Sequence, residues 1–551
     1  MPVRDSDPSD GAACSMPDRR GFLKQTSLLM AGARAAAALP LAVETSRAAA
    51  TGGRTPIADT TNGKVRGENV DGINVFKGIP YGGDTSGKNR FMPPTKPKKW
   101  TGVRDALSWG HVAPQSFLPG FIDYVRLTDL LNWPGGQSED CLVLNVWTPA
   151  LKDGGKRPVL VSFHGGVFVM GASSHPVYNG HPLAKFGNVV VVTINHRLGC
   201  LGYLHLGDLD AEFSKSGMAG MMDCVAALEW VRDNIENFGG DPGNVMIFGC
   251  SGGGSKVSNL LAMPSAKGLF HRAAIQSSGL ALRSTPRDTA TKNAERMLAQ
   301  IGLTKARVRE LQTVPVEMMI AAQALLGAQS PPVGFGPVVD GEVLPRNPFD
   351  PTAPDISADV PIIVSTTMQE AAAFRTDFDL DDTGLVAQVK ALGVSDPDRI
   401  ITAYRRAYPS LNPFKLLCTM ITDRGHRKDA ITLSERKAAL HKAPAYMYVL
   451  AWEWPAYGGK FGAVHGTDIP LVFHNVNVGG ITGTDPEAHA LADKLAGAWV
   501  AFAKTGNPNH PGIPEWPAYT AEARATMVFD TKCRVENDPG KELRALWPQG
   551  S

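Results

Sequence analysis

The sequence predicts an α/β fold built on one large, mostly parallel sheet flanked by helices. Three observations carry that reading. Short, mostly apolar runs recur at 142–147, 159–163, 189–194 and 245–248, as expected of strands buried on both faces. Between the last two, 221–238 places Val225, Leu228, Trp230, Val231 and Ile235 at helical spacing. Two of the apolar runs end directly in glycine-rich turns, and an open α/β sheet gathers its functional groups at the carboxyl ends of its strands.

The elements follow in order. Runs at 63–67 and 73–76 are read as strands with glycine turns. Pro93, Pro94 and Pro97 mark a loop leading to Trp100. The helix at 221–238 is closed by Asn237-Phe238-Gly239-Gly240-Asp241-Pro242. Runs at 273–276, 362–365 and 446–450 extend the sheet. The stretches 280–360 and 375–445 are richer in helical and loop patterns and are read as insertions on one domain, because no flexible linker divides them from the core. No internal repeat is visible.

Residues 1–50 differ in character. Asp18-Arg19-Arg20-Gly21-Phe22-Leu23-Lys24 precedes a weakly apolar, alanine-rich stretch that ends in Ser46-Arg47-Ala48-Ala49-Ala50. A charged region, an apolar region and a small-residue cleavage site resemble a twin-arginine export signal. The expected organisation is therefore an export signal over 1–50 and a single catalytic domain over 51–551, carried by the twin-arginine machinery to a periplasmic or secreted location in a bacterium. Arg34 interrupts the apolar stretch, and nothing later offers the roughly 18 uninterrupted apolar residues of a membrane span. No stable membrane insertion is expected once the signal is removed. Lys plus Arg number 55 and Asp plus Glu 53, with no long basic run, so nucleic acid is not an expected partner. Seven cysteines are scattered without a CxxC pair or a metal-ligand spacing, and no metal is expected.

The chemistry centres on Gly249-Cys250-Ser251-Gly252-Gly253. A serine hydroxyl is a poor nucleophile unless a turn exposes it and a base takes its proton. An apolar run ending in Gly-x-Ser-x-Gly provides such a strand-to-helix turn. The run 159–163 leads into His164-Gly165-Gly166-Val167-Phe168, a loop type whose backbone N–H groups stabilise a tetrahedral oxyanion. His465 lies in the glycine-flanked loop 462–468 and is the candidate base. The acid should follow a strand between Ser251 and His465. Glu370, after 361–365, fits that place. Asp340 and Asp468 are its competitors.

Several longer motifs carry a family resemblance over roughly residues 58–545. They are Phe76-Lys77-Gly78-Ile79-Pro80-Tyr81, Ser138-Glu139-Asp140-Cys141-Leu142, Asn195-His196-Arg197-Leu198-Gly199, 237–242, Pro337-Val338-Val339-Asp340-Gly341 and Thr505-Gly506-Asn507-Pro508. The chain resembles the type-B carboxylesterases, the cholinesterase-like branch of the α/β-hydrolases. The resemblance implies Ser251 as nucleophile, His465 as base and Glu370 as acid. It also implies Gly166, Val167 and Gly252 as oxyanion donors, and no organic cofactor.

This chain also departs from the family pattern. Cys250 stands where a glutamate is usual, Gly252 where an alanine is usual, and Val167 where a glycine or alanine is usual. Cys141 lacks the upstream cysteine with which it pairs in many relatives, so it is expected unpaired. The reading is a serine carboxylic-ester hydrolase acting on a neutral, small to medium-sized organic ester. Amide or carbamate cleavage with the same triad is one alternative, and a non-catalytic binding protein is another. Trp133, Phe168, Phe335, Phe374, Phe378 and Trp454 are candidate pocket walls.

Overall fold

The computed structural model of the 551-residue chain describes residues 55–116, 133–478 and 486–547. These lie within the compact unit Arg54–Ser551. The expected export signal falls outside the described residues.

The strands up to residue 105 are β1 (Ile57–Thr60), β2 (Gly63–Arg66), β3 (Glu68–Val70), β4 (Ile73–Pro80) and β5 (Val103–Asp105). Then come β6 (Val143–Thr148), β7 (Arg157–Phe163), β8 (Val190–Ile194), β9 (Gly240–Cys250) and β10 (Arg272–Gln276). After the short β11 (Thr285–Pro286) and β12 (Val338–Val339) follow β13 (Ile362–Thr367), β14 (Ala445–Leu450), β15 (Ala525–Phe529) and β16 (Arg534–Asn537). The central sheet has 11 strands in the order β16-β15-β14-β13-β10-β9-β7-β8-β6-β4-β3. From β15 through β8 every pair is parallel. The ends, β16 on one side and β6, β4 and β3 on the other, are antiparallel.

Alternation along the central strands builds a core on each face of the sheet. Val159, Val161 and Phe163 of β7 and Val245 and Ile247 of β9 pack with Leu228 and Val231 of the helix Ala219–Asn234. The intervening Leu160, Met246 and Phe248 pack on the opposite face with Leu495 and Trp499 of the helix Pro486–Thr505. All of these side chains are buried. Each stabilises the fold by about 1.5–3 kcal/mol relative to an exposed position.

Three sequence expectations need adjustment. The helix expected to 238 ends at Asn234 and continues as the 3₁₀ turn Ile235–Phe238, closed by left-handed Gly239 at φ 74°. The strand expected at 245–248 begins at Gly240, because Arg157 pairs with Gly240 before the register shifts to Val159 with Val245. β15 and β16 extend the sheet beyond the last expected strand. β16 is polar and half-exposed, an edge strand with no alternating apolar signal. Of the insertions, 280–360 holds the helices Arg287–Ile301 and Val316–Gly327, and 375–445 holds four more, Asp382–Ala391, Pro397–Ala407, Pro413–Thr422 and Lys428–Ala438.

Two of the resemblance motifs are structural. Glu139 receives both arms of Arg90, at 2.7 and 2.6 Å, and Arg90 also donates to the carbonyls of Leu311 and Val314. Arg197 makes a buried two-armed pair with Asp223, at 2.8 and 2.6 Å. Cys141 is buried and unpaired, as expected.

Candidate active site

The tip of β9 and the start of the helix Gly252–Ala262 place Ser251 at φ 59° and ψ −124°. A non-glycine residue at positive φ is strained and persists only where its surroundings over-determine it. Here they do. Ser251 N donates to Gln276 O at the end of β10, at 2.8 Å, and Ser251 O accepts from Ser255 N at 3.0 Å. The neighbouring glycines are required by contact. A Cβ on Gly253 would stand 2.1 Å from Phe163 O, and one on Gly249 would stand 2.6 Å from the same atom.

The loop after β7 lies against this turn. Gly166 has φ 90° and Val167 φ 58°. A Cβ on Gly252 would fall 1.9 Å from Val167 O, so the backbones of 167 and 252 are in direct contact. That contact explains the glycine at 252. Gly165 N donates to Tyr178 Oη at 3.1 Å. Gly166 O accepts from Val169 N and Met170 N, at 3.2 and 3.1 Å. The loop is thus fixed in advance by its own hydrogen bonds, which an oxyanion site needs.

Glu370 opens the short 3₁₀ turn Glu370–Phe374 after β13. It is fully buried, and its Oε1 accepts from Thr367 N at 2.6 Å. Its Oε2 lies 2.5 Å from His465 Nδ1. Burial alone would raise the Glu370 pKa. The charge of and bond to His465, with smaller help from His426 and Ser277, outweigh burial and hold the carboxyl at about 2. For His465, burial favours the neutral ring, but the Glu370 charge and hydrogen bond, with Asp468 behind, raise its pKa above the ordinary value.

Gln369 joins the acid loop to the histidine loop. Its N donates to Ala463 O at 2.9 Å and its Oε1 accepts from Ala463 N at 2.8 Å. Its Nε2 donates to Thr419 Oγ1 at 3.1 Å.

The competing acids are engaged by other partners. Asp340 Oδ1 caps a turn by accepting from Glu342 N and Leu344 N. Asp468 Oδ2 accepts from Tyr448 Oη at 2.6 Å and from Gln276 Nε2 at 2.9 Å. Burial raises the Asp468 pKa. Cys250 is buried near Asp468 and Glu370, and burial, then those charges, push its thiol well above the usual range. Ser277 Oγ lies near both Cys250 and Glu370 without a well-directed hydrogen bond to either.

A cavity of about 570 Å³ opens at the loop after β7, with Val167, Phe168, Val333 and Phe335 among its walls. Phe374 packs 5.7 Å from the His465 ring. Trp133 does not line the cavity. Phe378 packs on Phe414 and Phe461 at the edge of the core, and buried Trp454 packs on Tyr457 and Phe461. A larger cavity of about 1100 Å³ runs between 396–408 and 534–546, and none of Ser251, Glu370 or His465 lines it. None of the three lines the smaller cavity either, which meets the site only through the loop at Val167, Phe168 and Val169.

Sequence reasoning missed Gln369, His426 and Lys256. His426 lies in the turn Asp423–Arg427, with its ring 5.9 Å from that of His465. Only contacts distant in the chain give these three their places, so no local signal could have found them.

The fold and this site together define a serine hydrolase of the α/β-hydrolase class. The chain belongs to the carboxylesterase family, whose pattern matches residues 54–547. It is 36% identical over 501 residues to para-nitrobenzyl esterase of Bacillus subtilis, covering 89% of this chain and 97% of that one. It is 32% identical to phenmedipham hydrolase of Pseudarthrobacter oxydans, over 88% of this chain and 97% of that one. The solved structure of a Geobacillus stearothermophilus carboxylesterase superposes with a TM-score of 0.77 at 38% identity, over 90% of this chain and all of that one. The protein is a serine ester hydrolase with carboxylesterase activity. Among the described residues no helix is long and apolar enough to cross a membrane.

Proposed function

We propose that Ser251, His465 and Glu370 hydrolyse a neutral, small to medium-sized organic ester through an acyl-enzyme. The observation that carries this assignment is the buried His465 Nδ1–Glu370 Oε2 pair at 2.5 Å. With Nδ1–H donated to the carboxylate, Nε2 keeps the lone pair that accepts a proton. His465 takes the Ser251 Oγ proton as Oγ attacks the ester carbonyl. The N–H groups of Gly166, Val167 and Gly252 bind the resulting oxyanion. The intermediate collapses, and the alcohol leaves with the proton from His465. Water then attacks the acyl-enzyme with His465 again as base, which releases the acid and restores Ser251. Glu370 orients the ring and stabilises the imidazolium. The mostly apolar cavity at Val167, Phe168 and Phe335 favours an uncharged substrate, with β-branched Val167 limiting bulk beside the reacting carbon.

A fluorophosphonate probe tests the assignment. It should label Ser251, and labelling should vanish in Ser251→Ala. Ester turnover in Ser251→Ala and His465→Ala should fall by about 10⁴-fold or more. Near-wild-type turnover in either variant would remove the assignment.

We also propose that residues 1–50 direct export through the twin-arginine machinery, placing a catalytic domain from about residue 51 in the periplasm or outside a bacterial cell. The paired Arg19-Arg20 and the small residues before Thr51 support that reading. Replacing both arginines by lysine should leave the protein in the cytoplasmic fraction, and continued export would refute the signal.

A further inference from the structure

Lys256 lies in the first turns of the helix Gly252–Ala262 and is fully buried. A buried lysine is expensive unless its donors are used. Among the described residues no carboxylate pairs with it. Its Nζ instead donates to two backbone carbonyls, His164 O at 3.0 Å and Val167 O at 3.2 Å, and lies 5.2 Å from the centre of the Phe168 ring. Both carbonyls belong to the loop that supplies oxyanion donors.

That loop holds Val167 at φ 58°, a genuine outlier for a β-branched residue. Its earlier carbonyls have local partners. His164 Nδ1 donates to Gly165 O at 2.8 Å, and Val169 N and Met170 N donate to Gly166 O. The hydrogen bonds from Lys256 are different, because they come from the nucleophile's own helix.

We propose that Lys256 is a positioning residue that ties the oxyanion loop to the nucleophile's helix and holds Val167 in its left-handed conformation beside Gly252. Two donors of the oxyanion site then move as one body, although they come from separate segments. The inference rests on the reading of the site given above. Its electrostatic surroundings agree with it. His164 and His196 stack with ring centres 4.9 Å apart. Burial, and then the Lys256 charge, push His164 down to about 3 and His196 well below its usual value. Both rings are therefore neutral, and His164 Nδ1–H is free to donate to Gly165 O. Arg197, beyond His196, is engaged by Asp223. Burial lowers Lys256 itself to about 7, against a small opposing effect of Cys224. As ammonium or amine it retains N–H groups for both carbonyls.

The test compares wild type, Lys256→Met and Lys256→Gln, each also in a Val167→Gly background. The readouts are kcat, KM and the affinity for a trifluoromethyl ketone matching the acyl group, which binds as an oxyanion adduct. In Lys256→Met, kcat should fall about 30-fold, less than the 10²–10³-fold loss of an entire donor. KM should stay within about three-fold, and ketone affinity should fall by about the same factor as kcat. With glycine at 167 the strain is gone, and the Lys256→Met loss should shrink to about five-fold or less. Lys256→Gln, which retains a shorter donor, should fall between wild type and Lys256→Met.

Wild-type kcat and ketone affinity in Lys256→Met would overturn the proposal, as would a loss carried by KM alone. Equal losses in both backgrounds would remove the link to Val167. If Lys256→Met folds only with glycine at 167, the clamp is supported. If neither variant folds in either background, Lys256 is a packing residue and the proposal falls. Fluorophosphonate labelling of wild type separates the two levels: an unlabelled Ser251 refutes the site itself, whereas a labelled Ser251 with unaffected Lys256 variants refutes only the clamp.

Discussion

The two sides of the proposed site are built by different means. On the nucleophile side, the turn at Ser251 and the loop 164–167 are packed backbone against backbone, so closely that Gly249, Gly252 and Gly253 have no room for a methyl group. On the acid–base side, Glu370 and His465 are held by side-chain hydrogen bonds, with Gln369 as the staple between their loops. The first side stores strain at Ser251 and Val167. The second side derives its order from buried polar groups that hydrogen-bond one another. The nucleophile side, the Lys256 hydrogen bonds apart, should therefore fail through added volume. The acid–base side should fail through lost hydrogen bonds, with titration as its signature.

Glu370→Gln breaks the acid–base side hardest. Turnover should fall about 10³-fold, because an amide cannot stabilise the imidazolium. The pH profile sharpens the point. The proposed mechanism needs neutral His465, and Glu370 raises its pKa, so the acid limb of wild-type kcat/KM should lie above the ordinary histidine value of about 6.5. Without the carboxylate, burial dominates and the limb should move down. An upward or absent shift would mean that another group controls His465.

Gly252→Ala probes the other side and should lower kcat about 10²-fold. The added methyl would meet Val167 O at 1.9 Å, so the oxyanion loop must retreat. Its acid limb should not move, because no charge changes. A shifted limb with intact kcat would erase the distinction between the two sides. Next in size is Gln369→Leu. It leaves Ala463 N without its acceptor in a buried place, at a cost of about 1–3 kcal/mol measured by denaturant unfolding. Turnover should drop about ten-fold as the two loops lose register. Unchanged stability would show that backbone pairing alone holds them together.

The sequence and the structure agree where the signal is local. Gly-x-Ser-x-Gly after an apolar run, and His-Gly-Gly after another, locate the strained turn at Ser251 and the loop packed on it because sterically required glycines are visible in a single segment. The proposed acid was less legible. Glu370, Asp340 and Asp468 are each a carboxylate in a loop, and only the fold shows that Asp340 caps a turn while Asp468 is bound to Tyr448 and Gln276. The sheet's buried middle was legible as apolar runs. Polar β16 was not, and neither was Lys256, whose partner His164 lies 92 residues away. A lysine in a helix reads as a solvated residue until the backbone carbonyls it serves are seen.

Cys250 belongs to neither mode of construction, and its replacement should have the smallest effect. It stands where the family resemblance leads one to expect a glutamate, directly before the nucleophile. Burial and the neighbouring carboxyl groups keep its thiol neutral, so Glu370 is the nearby group whose charge acts most strongly on His465. Cys250→Ala removes volume and no charge. Stability should fall by about 1 kcal/mol, kcat should stay within about three-fold, and the acid limb should hold within about 0.2 pH unit. Cys250→Glu is the contrasting variant. A second carboxylate beside Glu370 favours the imidazolium, so its acid limb should rise relative to wild type. If the alanine variant shifts the limb as far as the glutamate variant, the packing of Cys250 governs His465. The acid–base side would then depend on volume just as the nucleophile side does.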